Sequence, residues 1–255
     1  MFLGRIHAVV NFRIKASLGY PKALYFSDSR GFLVGSYVGY KNHFRNNIVR
    51  RIYSKFAVKI EINKHSHTTL ADLFYEYSIE DLNSFDFLII HLGVVEFSPR
   101  RNVDAVAIRN DKLEKLGKVK ITKSSSAEKG FLQALNARTD AFYENDVTDS
   151  IVNADLYKKY MEKLQSVNVP IIALTTQTVL DDWRGNYWRA RPSNMNSFLA
   201  LEREFWKRVT PYVIQVPDDE CLIKKFTMDN IHPTNSGFRY LADEVDRVVQ
   251  KIIKK

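Results

Sequence analysis

Apolar and polar positions along this chain fall into blocks of two different periods, and the blocks alternate. Residues 23–26 (Ala-Leu-Tyr-Phe) are a short continuous apolar run, 56–62 alternate apolar and polar, and 85–92 give the clearest buried-strand pattern in the sequence. Residues 169–174 and 212–216 read as two further strands. Between these runs the apolar positions switch to helical spacing. This happens in 46–55, with Ile48, Val49 and Ile52 on one side, around 70–77, in 155–164 and in 196–209. Residues 236–254 predict a closing helix with Leu241, Val245, Val248 and Ile252 on its inner face. Strands separated by helices of this length give a βαβ rhythm and a mostly parallel sheet. The expected architecture is α/β, three layers α/β/α, as a single domain over residues 1–255 with no linker.

Two stretches stand apart. Residues 1–22 carry Arg5, Arg13, Lys15 and Lys22 and no acid, while Phe2, Leu3, Ile6, Val9 and Val10 recur at helical spacing. The pattern suits a basic amphipathic helix in peripheral membrane contact, or an N-terminal strand or helix packed on the core. Residues 98–130, with Pro99-Arg-Arg-Asn102, a lysine-rich segment and Ser124-Ser-Ser126, read as an exposed, charged excursion and a candidate lid or insertion.

Composition narrows the classes. With 255 residues, 45% of them hydrophobic and 26% charged, the chain has ordinary globular content. No apolar run approaches the roughly 20 residues of a membrane span, and no secretory signal pattern is present. Cys221 is the sole cysteine, which rules out an intrachain disulfide framework and a cysteine-rich metal site and fits a reducing compartment. The expected localisation is cytoplasmic, with membrane association through the basic N-terminus. A net charge of +9 favours anionic partners such as phosphorylated or uronic-acid sugars and anionic head groups. Nucleic acid is not expected, because the Lys and Arg residues are spread along the chain without a nucleic-acid-binding motif. Of the six histidines, His65 and His67 form the one close pair, too little for a zinc site. No cofactor or metal is expected.

The candidate chemistry lies near the two ends. The first apolar run stops at Ser27-Asp28-Ser29, with Gly31 just beyond. Such a cluster at the end of a buried strand is either a set of turn and cap residues or the place where an open α/β sheet presents a reactive hydroxyl. Asp229 and His232 stand three apart before the final helix, with Pro233 next. A carboxylate so close can hold one imidazole nitrogen, set its tautomer and leave the other nitrogen as a general base.

Ser27-Asp28-Ser29 near one end and Asp229-x-x-His232-Pro233 near the other resemble the SGNH (GDSL-type) hydrolase superfamily, and the resemblance runs the length of the chain. It implies a flavodoxin-like domain in which Ser29 is the nucleophile and Asp229 and His232 complete a triad, with Asp28 anchoring the turn. The chain departs from the pattern at three points. Ser27 stands where the family usually has Gly. The second block, Ser66-His67-Thr68-Thr69, lacks the family's Gly, so an oxyanion N–H would come from Ser66 or His67. The third block reads Gly93-Val94-Val95-Glu96, with Val95 where an Asn side chain would donate. Arg100, Arg101 and His91 are candidate replacements, and the backbone of Ser29 is a further donor. A looser similarity to SGNH-like proteins encoded with bacterial capsule and O-antigen genes rests on Gly93-Val-Val-Glu and Pro99-Arg100. It implies work on an acylated carbohydrate of a surface polysaccharide. The expected activity is ester hydrolysis by a serine nucleophile, with acyl transfer to a glycan and a catalytically degenerate glycan-binding domain as alternatives. Trp183, Tyr187 and Trp188 form an aromatic loop able to stack on sugar rings.

Overall fold

The strand that leads to Ser29 is buried from its second residue on. In the computed structural model, which describes residues 2–31, 48, 52, 54–117, 126–136, 141–187 and 190–253, β1 spans Lys22–Ser27. An apolar run without alternation suits a strand covered on both faces. β1 lies parallel between β2 (Ala57–Ile62) and β3 (Phe87–His91). Two more parallel strands, β7 (Ile171–Leu174) and β8 (Tyr212–Ile214), continue the sheet, whose order is β2-β1-β3-β7-β8. The chain steps one way from β1 to β2 and the other way to β3. The carboxyl ends of β1 and β3 are therefore a topological switch point, where open α/β sheets hold their ligands. Ser27 and His91 are register partners there.

Alternate residues of β1 and β3 feed two cores. Leu24, Phe26, Leu88 and Ile90 pack with α2 (Leu70–Glu76), α7 (Ala154–Gln165) and α8 (Met195–Val209) through residues such as Leu73, Tyr160 and Phe205. Ala23, Tyr25, Phe87 and Ile89 face the other way, onto Phe238, Leu241 and Val245 of α10 (Asn235–Ile253) and onto Ile48 and Ile52. The three-layer α/β/α arrangement is as the periodicity predicts. Val49 and most of 46–55 lie outside the described residues, as do residues 32–37, an apolar stretch that follows Ser29 in the sequence.

The N-terminal segment is a helix, α1 (Phe2–Ser17). Phe12 joins the core against Phe85, while Val9, Val10, Ile14 and Leu18 are exposed. Among the described residues no helix is long and apolar enough to cross a membrane.

The excursion differs from its expectation. After the short helices α3 (Ile79–Asn83) and α4 (Val94–Phe97) comes β4 (Arg100–Arg101), which pairs antiparallel with β6 (Asp146–Asp149); β6 in turn pairs with β5 (Phe142–Tyr143). Between them, α5 (Asn102–Leu116) buries Ala105, Lys112 and Leu116. Lys112 is inside because its ammonium sits 3.0 and 2.9 Å from the two oxygens of buried Asp72, so a charge that reads as surface is neutralised within the core. Residues 118–125 lie outside the described part; α6 (Ser126–Asn136) then adds Phe131 and Leu135 to the core. α9 (Glu220–Phe226) precedes the Asp229 loop.

Candidate active site

β1 ends in a single 3₁₀ turn, Ser29–Gly31, and the residues on either side of Ser29 are locked inward. The Asp28 N–H donates to the His91 carbonyl (3.2 Å), which ties the turn to β3. Its carboxylate accepts from the Arg30 N–H (2.9 Å), Nε (3.0 Å) and Nη2 (3.0 Å), a fork-like pair with both side chains buried. Arg30 Nη1 then donates to Thr176 Oγ1 (2.7 Å) and lies 3.8 Å from Glu202 Oε1. Burial works against the Arg30 charge, but Asp28 and then Glu202 raise its pKa overall. Asp28 thus anchors the turn, as expected of it. Between two side chains turned into the protein, that of Ser29 faces the cleft.

Its partner comes from the loop between α9 and α10. Residues 227–233 close on themselves: Thr227 bridges Pro233, and the Met228 N–H donates to the His232 carbonyl (2.9 Å). Asp229 Oδ1 accepts from the backbone N–H of Ile231 (3.1 Å) and of His232 (2.7 Å), a local turn that an Asp side chain makes readily. Its Oδ2 lies 2.9 Å from His232 Nδ1, and His232 Nε2 lies 3.1 Å from Ser29 Oγ. A carboxylate only accepts, so Nδ1 carries the hydrogen and Nε2 is left with a lone pair toward the serine. Asn230, at φ +69°, is buried and pins the loop by exchanging hydrogen bonds with Leu180, accepting from its N–H at 3.0 Å and donating to its carbonyl at 3.3 Å, and by donating to the Trp183 carbonyl. Arg191 donates to the Asp229 carbonyl from across the cleft.

The cleft has a volume of about 550 Å³ and is lined by residues including Ser29, His67, Val95, Arg100, Tyr187 and His232. Of the second-block pair, His67 is on the wall, whereas Ser66 is exposed and does not line the cleft. His67 takes φ +51°, the left-handed region that a glycine adopts without strain. Burial, then Arg100 and Lys112, hold its imidazole pKa below the usual range, so the ring is neutral near pH 7. Among the described residues the backbone N–H groups of Ser29 and His67 donate to no protein acceptor. In the third block, Gly93 has φ +127° and a Cβ there would lie 2.7 Å from the Glu202 carboxyl carbon, so only glycine fits. Gly93 itself is behind the wall; Val94 and Val95 form it. Arg100 lines the cleft and donates from Nη2 to the Val95 carbonyl (2.6 Å), and Arg101 lines it too. His91 does not. It lies under the turn with Nδ1 3.0 Å from Tyr25 Oη, and burial, then Arg30 and His232, push its pKa well down. Of the aromatic loop, Tyr187 reaches the cleft, Trp183 does not line it, and Trp188 is outside the described residues.

Two buried acids brace the site: Glu96, a member of the third block to which no role falls from the sequence, and Glu202, which is not among the candidate residues. Glu96 Oε1 accepts from the Leu70 N–H (2.6 Å), tying the start of α2, just after His67, to α4; burial pushes its pKa up to about 8. Glu202 accepts from the Thr176 N–H (3.2 Å) and backs Gly93; burial pushes its pKa up to about 7 against the pull of Arg30. A signal for Glu202 was available. It falls on the apolar stripe of α8, between Leu199 and Phe205, where an acid has no place unless it is partnered. Among the described residues no group of three or more His, Cys, Asp or Glu is placed to hold a metal ion.

No protein-family model and no curated protein matches this chain. Among solved structures, the chain is similar to a carbohydrate acetylesterase family member from Sinorhizobium meliloti, at 9% identity and TM-score 0.45 over 92% of this chain and 100% of that one. It is also similar to the psychrotrophic esterase EstA from a Pseudoalteromonas species, at 11% identity and TM-score 0.43, covering 92% and 99%. A gut microbial diltiazem-metabolizing enzyme is similar at 10% identity and TM-score 0.44, covering 89% of this chain and 46% of that one.

Proposed function

We propose that this protein is a serine esterase of the SGNH type that removes an acyl group, acetyl foremost, from a carbohydrate. The observation that carries the reading is the hydrogen-bonded chain Ser29 Oγ, His232, Asp229, with steps of 3.1 and 2.9 Å, at the mouth of a cleft on the switch point. His232 Nε2 takes the proton from Ser29 Oγ as the oxygen attacks the ester carbonyl, and Asp229 stabilises the imidazolium. The tetrahedral oxyanion is held by the backbone N–H groups of Ser29 and His67. Collapse expels the sugar alkoxide, which takes the proton from His232. Water, activated by the same imidazole, then hydrolyses the acyl-enzyme and restores Ser29. The surface-polysaccharide setting rests on the resemblance of the third block and on the net charge of +9. Transfer of the acyl group to a sugar hydroxyl instead of water uses the same residues and predicts a rate that rises with added acceptor. α1, with Val9, Val10 and Ile14 outward beside Arg13 and exposed Leu18 just after its end, supports peripheral membrane contact.

A second reading, a degenerate glycan-binding domain, is favoured by one observation: Val95, without a donor, stands on the wall where the resemblance asks for Asn. Ser29→Ala and His232→Ala, assayed with p-nitrophenyl acetate and acetylated sugars, separate the two. The esterase reading expects kcat to fall by about 10⁴-fold or more in each; full turnover retained in either variant sinks it.

A further inference from the structure

Three arginines line the cleft, and their surroundings differ. Arg101 is engaged: its Nε and Nη2 lie 2.7 and 3.0 Å from Asp104, and it is 3.9 Å from Glu144. Those are the two carboxylates among the residues that line the cleft, and Arg101 is the arginine within ion-pair distance of both, while Asp104 acts on Arg100 at longer range. Arg191 is placed over the Tyr187 ring, 4.2 Å from its centroid, and donates to the Asp229 carbonyl. Arg100 is held differently. Its Nη2 donates to the Val95 carbonyl, its Nε is buried with no acceptor, and among the described residues no carboxylate lies within 4.0 Å of it. A guanidinium stays charged in proteins, and desolvating it without an acid is costly. Val95, Ser29 and His67 line the same cleft, so Arg100 brings a guanidinium into the cavity that holds the nucleophile, and Asp104 acts on it only at longer range than an ion pair.

We propose that Arg100 is a substrate-recognition residue that pairs with an anionic group, carboxylate or phosphate, carried by the sugar next to the scissile ester. The inference rests on the esterase reading for the ester but not for the anion. A carboxylate or phosphate fits the planar fork of a guanidinium in a way a neutral hydroxyl does not. Tyr187, on the same wall, offers a face for the sugar ring. The substrate class is therefore an acylated acidic sugar, a uronic acid or a sugar phosphate.

The test measures acetate release from acetylated methyl glucuronide, acetylated glucose 6-phosphate and acetylated methyl glucoside by the full chain. We expect kcat/KM for one of the acidic sugars to exceed that for the glucoside by at least tenfold, and the preferred one tells carboxylate from phosphate. In Arg100→Gln that ratio should collapse at least tenfold, and in Arg100→Lys, which keeps the charge, less. A wild-type ratio near one overturns the proposal, and this result needs no variant to fold. So does an Arg100→Gln variant that loses all three activities equally, which would make Arg100 an oxyanion donor. Calorimetry with glucuronate, glucose 6-phosphate and glucose separates this inference from the function beneath it. Arg100-dependent binding of an anion by a protein that hydrolyses no ester keeps the anion site and removes the esterase reading; no such binding and no hydrolysis removes both.

Discussion

The two sides of Ser29 are built differently. On the side of His232, a seven-residue loop carries two carboxylate-to-backbone hydrogen bonds, a ring nitrogen held at 2.9 Å and a buried Asn that pins the whole turn. On the opposite side, the cleft wall presents His67 in a left-handed conformation, a valine, and an arginine that no carboxylate approaches within 4.0 Å among the described residues. The first side is over-determined by short-range contacts, while the second is assembled from three separate segments joined through buried Glu96 and Glu202. A proton relay depends on two fixed distances that one loop can set. An oxyanion hole depends on donors from different elements, whose relative placement no single loop sets.

Four substitutions sharpen or break that contrast. The largest effect is expected from Asp229→Asn, which keeps the shape of the loop but lets an amide donate toward Nδ1 and reverses the tautomer; kcat on p-nitrophenyl acetate should fall by about 10⁴-fold. Next is Glu202→Gln. The pKa of Glu202 is raised to about 7 from the usual carboxyl value, so the folded state holds its proton more tightly than the unfolded chain does. Its contribution to stability is then fully present below about pH 4.5 and is lost as pH rises toward 7, about 3 kcal/mol in all. Urea unfolding at pH 5, 6 and 7 should show that fall in the wild type and a flatter profile in the variant. If the profiles coincide, Glu202 is not what couples the two sides to pH.

Val95→Asn restores the donor that the resemblance asks for. A single oxyanion donor is worth about 10²–10³-fold in kcat, so a gain of about tenfold or more is expected, measured with the same ester. No gain would mean that the hole is already complete. The smallest effect is on stability: His67→Gly relieves a left-handed backbone that costs about 1–2 kcal/mol, offset by about 0.5–1 kcal/mol from the looser unfolded chain. A net gain between zero and about 1.5 kcal/mol in urea unfolding is expected.

Much of this arrangement was legible in the residues. β1, β3 and β7 are continuous apolar runs because both sheet faces are covered, and their spacing by helices gives the parallel order. Ser29 could be singled out because it sits in a short polar block at the end of a buried strand, and Asp229 and His232 because they stand three apart before Pro233 and the closing helix. The β4-β6-β5 sheet could not, since strands of two to four residues are too short to repeat a pattern. α5 was read as surface because its inner face relies on Ala105 and on Lys112 paired to Asp72, a contact 40 residues distant. The choice between Ser66 and His67 likewise needed the backbone, because nothing in either side chain announces a positive φ.

The most direct measurement of the central claim is mass spectrometry of the protein after a fluorophosphonate probe. A single adduct, on Ser29, is expected, and it should form at least about 10³-fold more slowly in His232→Ala. An adduct on any other residue, or none on Ser29 in folded protein, would contradict the claim.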